Sequence, residues 1–166
     1  MSYDGPGHDG PGERLGDAEY GECIAAGDPG FDWVRPGGEW DAIALNYTCG
    51  TTGDPKGVVH TFRSILARLA LNRLHLPAAT LARTLCVLPT HFGHGLIGNC
   101  LTPWLDGHSL FLYPQTGVAG ASKLGEILEG NRITFMSSVP SFWKIALKVG
   151  KPPAVRSLKR VGIGSA

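Results

Sequence analysis

Short apolar runs alternating with amphipathic stretches constrain this chain more than any other feature. From Asp41 onward, AIALNY (42–47), TLCVLP (84–89), SLFLYP (109–114), ITFMSS (133–138) and LKRVGIG (158–164) read as buried strands. Residues 62–76, 95–105, 122–129 and 141–149 lie between them with helical patterning. Strands separated by helices of this length call for crossover connections. The expected fold is therefore α/β, a mainly parallel sheet with crossover helices.

The front of the chain lacks this pattern. Residues 1–39 hold much of the glycine, proline and aspartate, including the near-duplicate DGPGHDGPG at 4–12. So few apolar side chains cannot offset the ordering entropy, so an irregular connector or tail is expected, with a short helix around residues 18–26. The predicted division is 1–39 and 40–166. A net charge of +1 with 43% hydrophobic residues gives no reason to invoke nucleic acid or an anionic membrane. The N-terminal stretch has no apolar core for a signal peptide, and no run reaches membrane-spanning length. Cys23, Cys49, Cys86 and Cys100 show no CxxC pairing and are read as reduced, buried thiols. The expectation is a cytoplasmic protein.

Directly after the first strand comes YTCGTTGDPKGVV (47–59). DPKG within it is a good type I turn, and a hairpin accounts for those four residues. It does not account for TCGTTG before them. Gly50, Gly53 and Gly57 permit close backbone approach, Thr48, Thr51 and Thr52 offer hydroxyls, and Lys56 adds a mobile charge. Such a set suits a polyphosphate. It is not a Walker A loop, because no GK[ST] follows at the required spacing.

The segment resembles the signature loop of the AMP-forming, acyl-activating enzymes: acyl-CoA ligases, peptide-synthetase adenylation domains and luciferases. LPTHFGHGL (88–96) is similar to the family's next motif, a strand ending in proline followed by a histidine at the substrate pocket. ITFMSSVPSFWKIAL and SLKRVGIGSA resemble the strand, helix and strand that approach the adenine site, and GPGERLGDAEYGECIAAGDPGFDW resembles the upstream connector of some acyl-CoA ligases. The resemblance implies part of the family's N-terminal domain. It also implies ATP-dependent activation of a small carboxylic acid through acyl-AMP, then thioester formation with coenzyme A. Under it Thr48, Cys49, Gly50, Thr51, Thr52, Gly53, Lys56 and Gly57 hold the nucleotide phosphates, Lys56 and Thr51 act on the leaving pyrophosphate, and His91 lines the carboxylate pocket. The implied cofactors are ATP, Mg2+ and coenzyme A. Cys49 stands where the family usually has serine or threonine, and a thiol is the weaker hydrogen-bonding group.

Other readings carry less. The His91–His94 pair, with Cys100 and His108 nearby, lacks the spacing of a zinc site, so no metal ligands are assigned. Phe135, Phe142 and Trp143 are of types more often found in a core than in an acyl pocket, and the sequence does not separate the two. Magnesium-bound ATP requires a carboxylate, yet after Lys56 only Asp106, Glu126 and Glu129 are available: one begins a turn and two sit on a helix face. The family's later Thr-Glu pair, ribose aspartate and C-terminal lysine have no counterpart. The chain thus reads as an internal piece, inactive alone, whose expected protein partner is the remainder of the same enzyme. Adenylation for a carrier protein and a non-catalytic nucleotide-binding module are the alternatives.

Overall fold

The computed structural model describes residues 17–48, 50, 53–113 and 117–164. One compact unit runs to Pro36 and a second begins at Gly37. In the first, α1 (Tyr20–Ala25) matches the expected short helix. Its start is closed by a capping box between Glu19 and Glu22, with the Glu19 N–H donating to Glu22 Oε2 at 3.0 Å. Cys23 on this helix is exposed, contrary to the expectation of burial, because among the described residues of its unit no second layer covers this six-residue helix.

The second unit contains two separate sheets. β1 (Ala42–Tyr47) pairs antiparallel with β2 (Gly57–Thr61), setting Leu45 opposite Val59 and Tyr47 opposite Gly57. This corrects the expectation that 42–47 is a buried strand at the head of the parallel sheet. Leu45 is 54% exposed and Tyr47 68%. The apolar composition that suggested burial is instead spread over a two-stranded ribbon. β2 is the second arm that the hairpin reading of DPKG calls for, although VVHT runs without a break into α2 (Phe62–His75). That junction is sharp for a local reason: the Thr61 side chain accepts the Ser64 N–H, and the Ser64 side chain accepts the Thr61 N–H.

The parallel sheet has the order β4-β3-β5-β6, built from β3 (Arg83–Cys86), β4 (Ser109–Leu112), β5 (Phe135–Ser138) and β6 (Arg160–Ile163). Alternation along the strands divides the core between its faces. On one, Leu85, Val87 and Met136 pack with Leu124, Leu128 and Phe142, under α5 (Gly117–Ser122), α6 (Leu124–Gly130) and α7 (Pro140–Val149). On the other, Cys86 and Leu88 pack with Cys100.

The helices differ from expectation in two places. Residues 122–129 are not one helix; the break between α5 and α6 falls at Lys123. The predicted helix 95–105 is a π-helix from His94 to Leu101 followed by α4 (Thr102–Leu105). A short α3 (Ala78–Leu81) went unpredicted. The π-helix is seated closely on the chain leaving β3: a side-chain carbon at Gly95 would lie 2.1 Å from the Pro89 carbonyl oxygen.

Candidate functional site

The phosphate-loop candidate occupies the turn of the β1/β2 ribbon, so the two readings of the sequence describe one object. It is a hairpin connection, widened to nine residues between the strands (48–56). Its neck is fastened twice. The Thr48 N–H donates to the Lys56 carbonyl at 3.0 Å, and the Lys56 N–H donates to Thr48 Oγ1 at 3.1 Å. Thr48 therefore holds the neck closed while its own hydroxyl hydrogen stays available to donate.

Within the loop, the Gly53 N–H donates to the Gly50 carbonyl at 3.2 Å. Gly50 has φ +64°, and a side-chain carbon there would approach Gly53 O to 2.6 Å and Pro55 N to 2.9 Å. Only glycine fits both the conformation and the space. Gly57 meets a different demand: it sits under Tyr47, and a side-chain carbon would lie 3.0 Å from Leu45 Cδ1. Lys56 is exposed at the neck. Cys49, Thr51 and Thr52 lie outside the described residues.

His91 follows β3 and is exposed, its ring edge-on to Phe92 at 5.7 Å. With Pro89, Thr90, Leu112 and Tyr113 it lines an open pocket of about 410 Å³ past the carboxyl ends of β3 and β4. In parallel sheets this is where ligands bind. Among the described residues no hydrogen bond or ion pair joins His91 to the loop at 48–56.

The more organised histidine is His94, which sequence reasoning weighed only as half of a metal pair. Its Nε2 lies 2.8 Å from Ser137 Oγ at the end of β5, and Asn99 Nδ2 donates to the Ser137 carbonyl at 3.4 Å. The π-helix makes this convergence possible: positions i and i+5 fall about one turn apart, whereas in an α-helix they would diverge by about 140°. Burial, and then the Arg68 guanidinium, lower the His94 pKa below its ordinary value, so the ring is neutral near pH 7. His94 Nδ1 and the Ser138 hydroxyl are buried with no hydrogen-bond partner among the described residues. Gly162 lets β6 approach, since a side-chain carbon there would fall 2.6 Å from Ser137 Oγ.

The carboxylates after Lys56 are largely committed. Asp106, 11% exposed, pairs with Arg73 and with His108 Nε2 at 3.3 Å. Glu129 accepts the Ala154 N–H at 3.1 Å. Among the described residues no group of three or more His, Cys, Asp or Glu is placed to hold a metal ion.

Residues 12–166 match the family described as AMP-binding enzyme. The chain belongs to that family. Over 46 residues it is 61% identical to probable acyl-activating enzyme 6 of Arabidopsis thaliana and 59% identical to 2-methylpropanoate–CoA ligase CCL4 of Humulus lupulus; each match covers 28% of this chain and 8% of the relative. The N-terminal domain of FACL13 from Mycobacterium tuberculosis, solved with an inhibitor, superposes with a TM-score of 0.74 at 25% identity, over 88% of this chain and 36% of that one. The o-succinylbenzoate coenzyme A synthetase of Bacillus subtilis, in complex with ATP and magnesium, gives 0.63 at 25% identity, over 73% and 24%. These AMP-binding enzymes share the α/β architecture expected from the sequence. No helix among the described residues is long and apolar enough to cross a membrane.

Proposed function

We propose that this chain supplies the phosphate-holding loop and part of the acid pocket of an AMP-forming acid:CoA ligase. The supporting observation is the loop itself: a neck closed by Thr48 and Lys56, and a turn at Gly50 that no other residue fits. Relatives named as CoA ligases favour coenzyme A as the acceptor. In this reading residues 1–39 are the connector and 40–166 the partial nucleotide-binding domain, in a cytoplasmic enzyme acting on a small carboxylic acid.

The reaction joins a carboxylate oxygen to the α-phosphorus of ATP and expels pyrophosphate; the acyl group then passes to the thiol of coenzyme A. Lys56 and the Thr51 hydroxyl stabilise the charge that collects on the departing pyrophosphate, and Thr48, Cys49, Gly50, Thr52, Gly53 and Gly57 shape the cradle. His91 lines the acid pocket together with Pro89, Thr90, Leu112 and Tyr113. Magnesium would neutralise phosphate charge, with its carboxylates drawn from elsewhere in the enzyme, since Asp106 and Glu129 are already engaged. Alone, the chain binds nucleotide without turnover.

Titration with a fluorescent ATP analogue tests this reading. Saturable binding should weaken at least about tenfold in Lys56→Ala, the scale of one lost charged contact. Equal binding by the two proteins would overturn it. Carboxylate-dependent exchange of labelled pyrophosphate into ATP, above the Lys56→Ala control, would instead overturn the claim of inactivity alone.

A further inference from the structure

Two thiols face each other where the π-helix meets the parallel sheet. Cys86 ends β3 and Cys100 lies near the end of the π-helix, 2% and 6% exposed. They pack together in one cluster, walled by Leu88, Phe92, Leu110 and Val139. The Cys86 thiol donates to the Leu88 carbonyl, with sulfur and oxygen 3.5 Å apart. Cys86 also borders the pocket past the ends of β3 and β4, whereas Cys100 belongs to neither site described above.

We propose that Cys86 and Cys100 are a modification site, closing to an intramolecular disulfide under a low-molecular-weight disulfide oxidant and fastening the π-helix to β3. One cysteine thiolate attacks a sulfur of the small disulfide, forming a mixed disulfide and expelling one small thiol. The second cysteine thiolate attacks the protein sulfur of that intermediate and expels the other small thiol. Two protein thiols are oxidised, one small disulfide is reduced to two thiols, and both protein protons leave with them.

The environment sets how readily this happens. Burial, followed by the hydrogen bond to Cys86 and that neighbour's charge, pushes the Cys100 thiol up to about 12. In the closed protein almost none of it is thiolate, and the apolar wall keeps oxidants out. Attack therefore follows local opening of the π-helix, which carries a buried Nδ1 at His94 with no hydrogen-bond partner among the described residues. After the first step, packing keeps the second sulfur adjacent, so ring closure outruns addition of a second small thiol.

The test treats the full chain with oxidised glutathione under native conditions, alkylates the remaining thiols in denaturant and digests for mass spectrometry. The expected product is a peptide pair linked through Cys86 and Cys100, two hydrogens lighter than the reduced pair, in monomeric protein. It should persist in Cys23→Ser/Cys49→Ser, while Cys100→Ser should leave Cys86 as a mixed disulfide. Closing the 15 residues from Cys86 to Cys100 should also slow amide exchange across residues 94–101 by roughly 100-fold. Full alkylation of both thiols after the native oxidation step, separate mixed disulfides at the two positions, linkage to Cys23 or Cys49, or unchanged exchange would each overturn the proposal.

Discussion

Replacing Gly50 by alanine isolates the feature on which the phosphate-loop reading rests. Two costs arise in the structure as it stands. A φ of +64° costs an L-residue about 1–2 kcal/mol relative to glycine. The added carbon would also press on two backbone atoms, Gly53 O at 2.6 Å and Pro55 N at 2.9 Å, neither of which can rotate away. Overpacking of this kind costs about 1–3 kcal/mol. Taken together the penalty is about 2–5 kcal/mol, less whatever the exposed loop recovers by shifting. Such a shift abandons the cradle, so the loss moves from folding to nucleotide affinity, where it corresponds to roughly 30- to 4,000-fold. Gly53→Ala is the matched control, because a carbon there meets nothing within 4 Å and its φ is not positive. Binding of a fluorescent ATP analogue and urea denaturation should be measured on both variants. Gly50→Ala should lose affinity at least tenfold beyond Gly53→Ala. If it binds within twofold of wild type and its urea midpoint is unchanged, the loop is not the preformed cradle argued for here.

Gly95→Ala should be among the most destabilising single-methyl changes, by about 3 kcal/mol, because the new carbon would fall 2.1 Å from the Pro89 carbonyl; a urea midpoint unchanged from wild type would refute this. Gly98→Ala, whose nearest neighbour is the movable Arg68 guanidinium at 3.4 Å, should cost far less by the same measurement. The lowered pKa of His94 sets a pH window. The unfolded chain takes up a proton at His94 near the ordinary value of 6.5 while the folded chain resists, so this stability is present above 6.5 and is lost as the pH falls from there toward the depressed folded value. The difference in melting temperature between wild type and His94→Gln, followed from pH 7.5 to 5, should therefore shrink on acidification; a constant difference would show that His94 is not held neutral.

The centre of the parallel sheet was legible because β3 and β5 are largely buried and read as continuous apolar runs, TLCVLP and ITFMSS; β4 and β6, also expected to be buried, are edge strands with Leu112, Val161 and Ile163 exposed. AIALNY carries a similar composition for another reason, and nothing in its six residues distinguishes a core strand from one arm of an exposed ribbon. What distinguishes them is the partner, here the antiparallel arm VVHT rather than a strand of the parallel sheet. The glycine requirement at Gly50 was legible, since glycine tolerance is a local property of the chain. His94 was not, because its importance depends on a π-helix, and no residue in HGLIGNCL specifies five-residue over four-residue hydrogen bonding.

That register has a consequence that energies can test. His94 and Asn99 are separate in sequence but bind one residue, His94 through the Ser137 side chain and Asn99 through its carbonyl. Asn99 is almost fully buried and its long hydrogen bond holds only if the π turn keeps both side chains on the same line. Losing His94 removes a reason for the wide turn, after which Asn99 is already partly displaced and its own removal costs less. The two truncations should therefore be non-additive. In a double-mutant cycle of His94→Ala and Asn99→Ala by urea denaturation, the coupling should be about 0.5–3 kcal/mol, the double variant being more stable than the summed single losses imply. A coupling indistinguishable from zero would mean that the two side chains act independently, and that the π-helix is held by its seat on Pro89 alone.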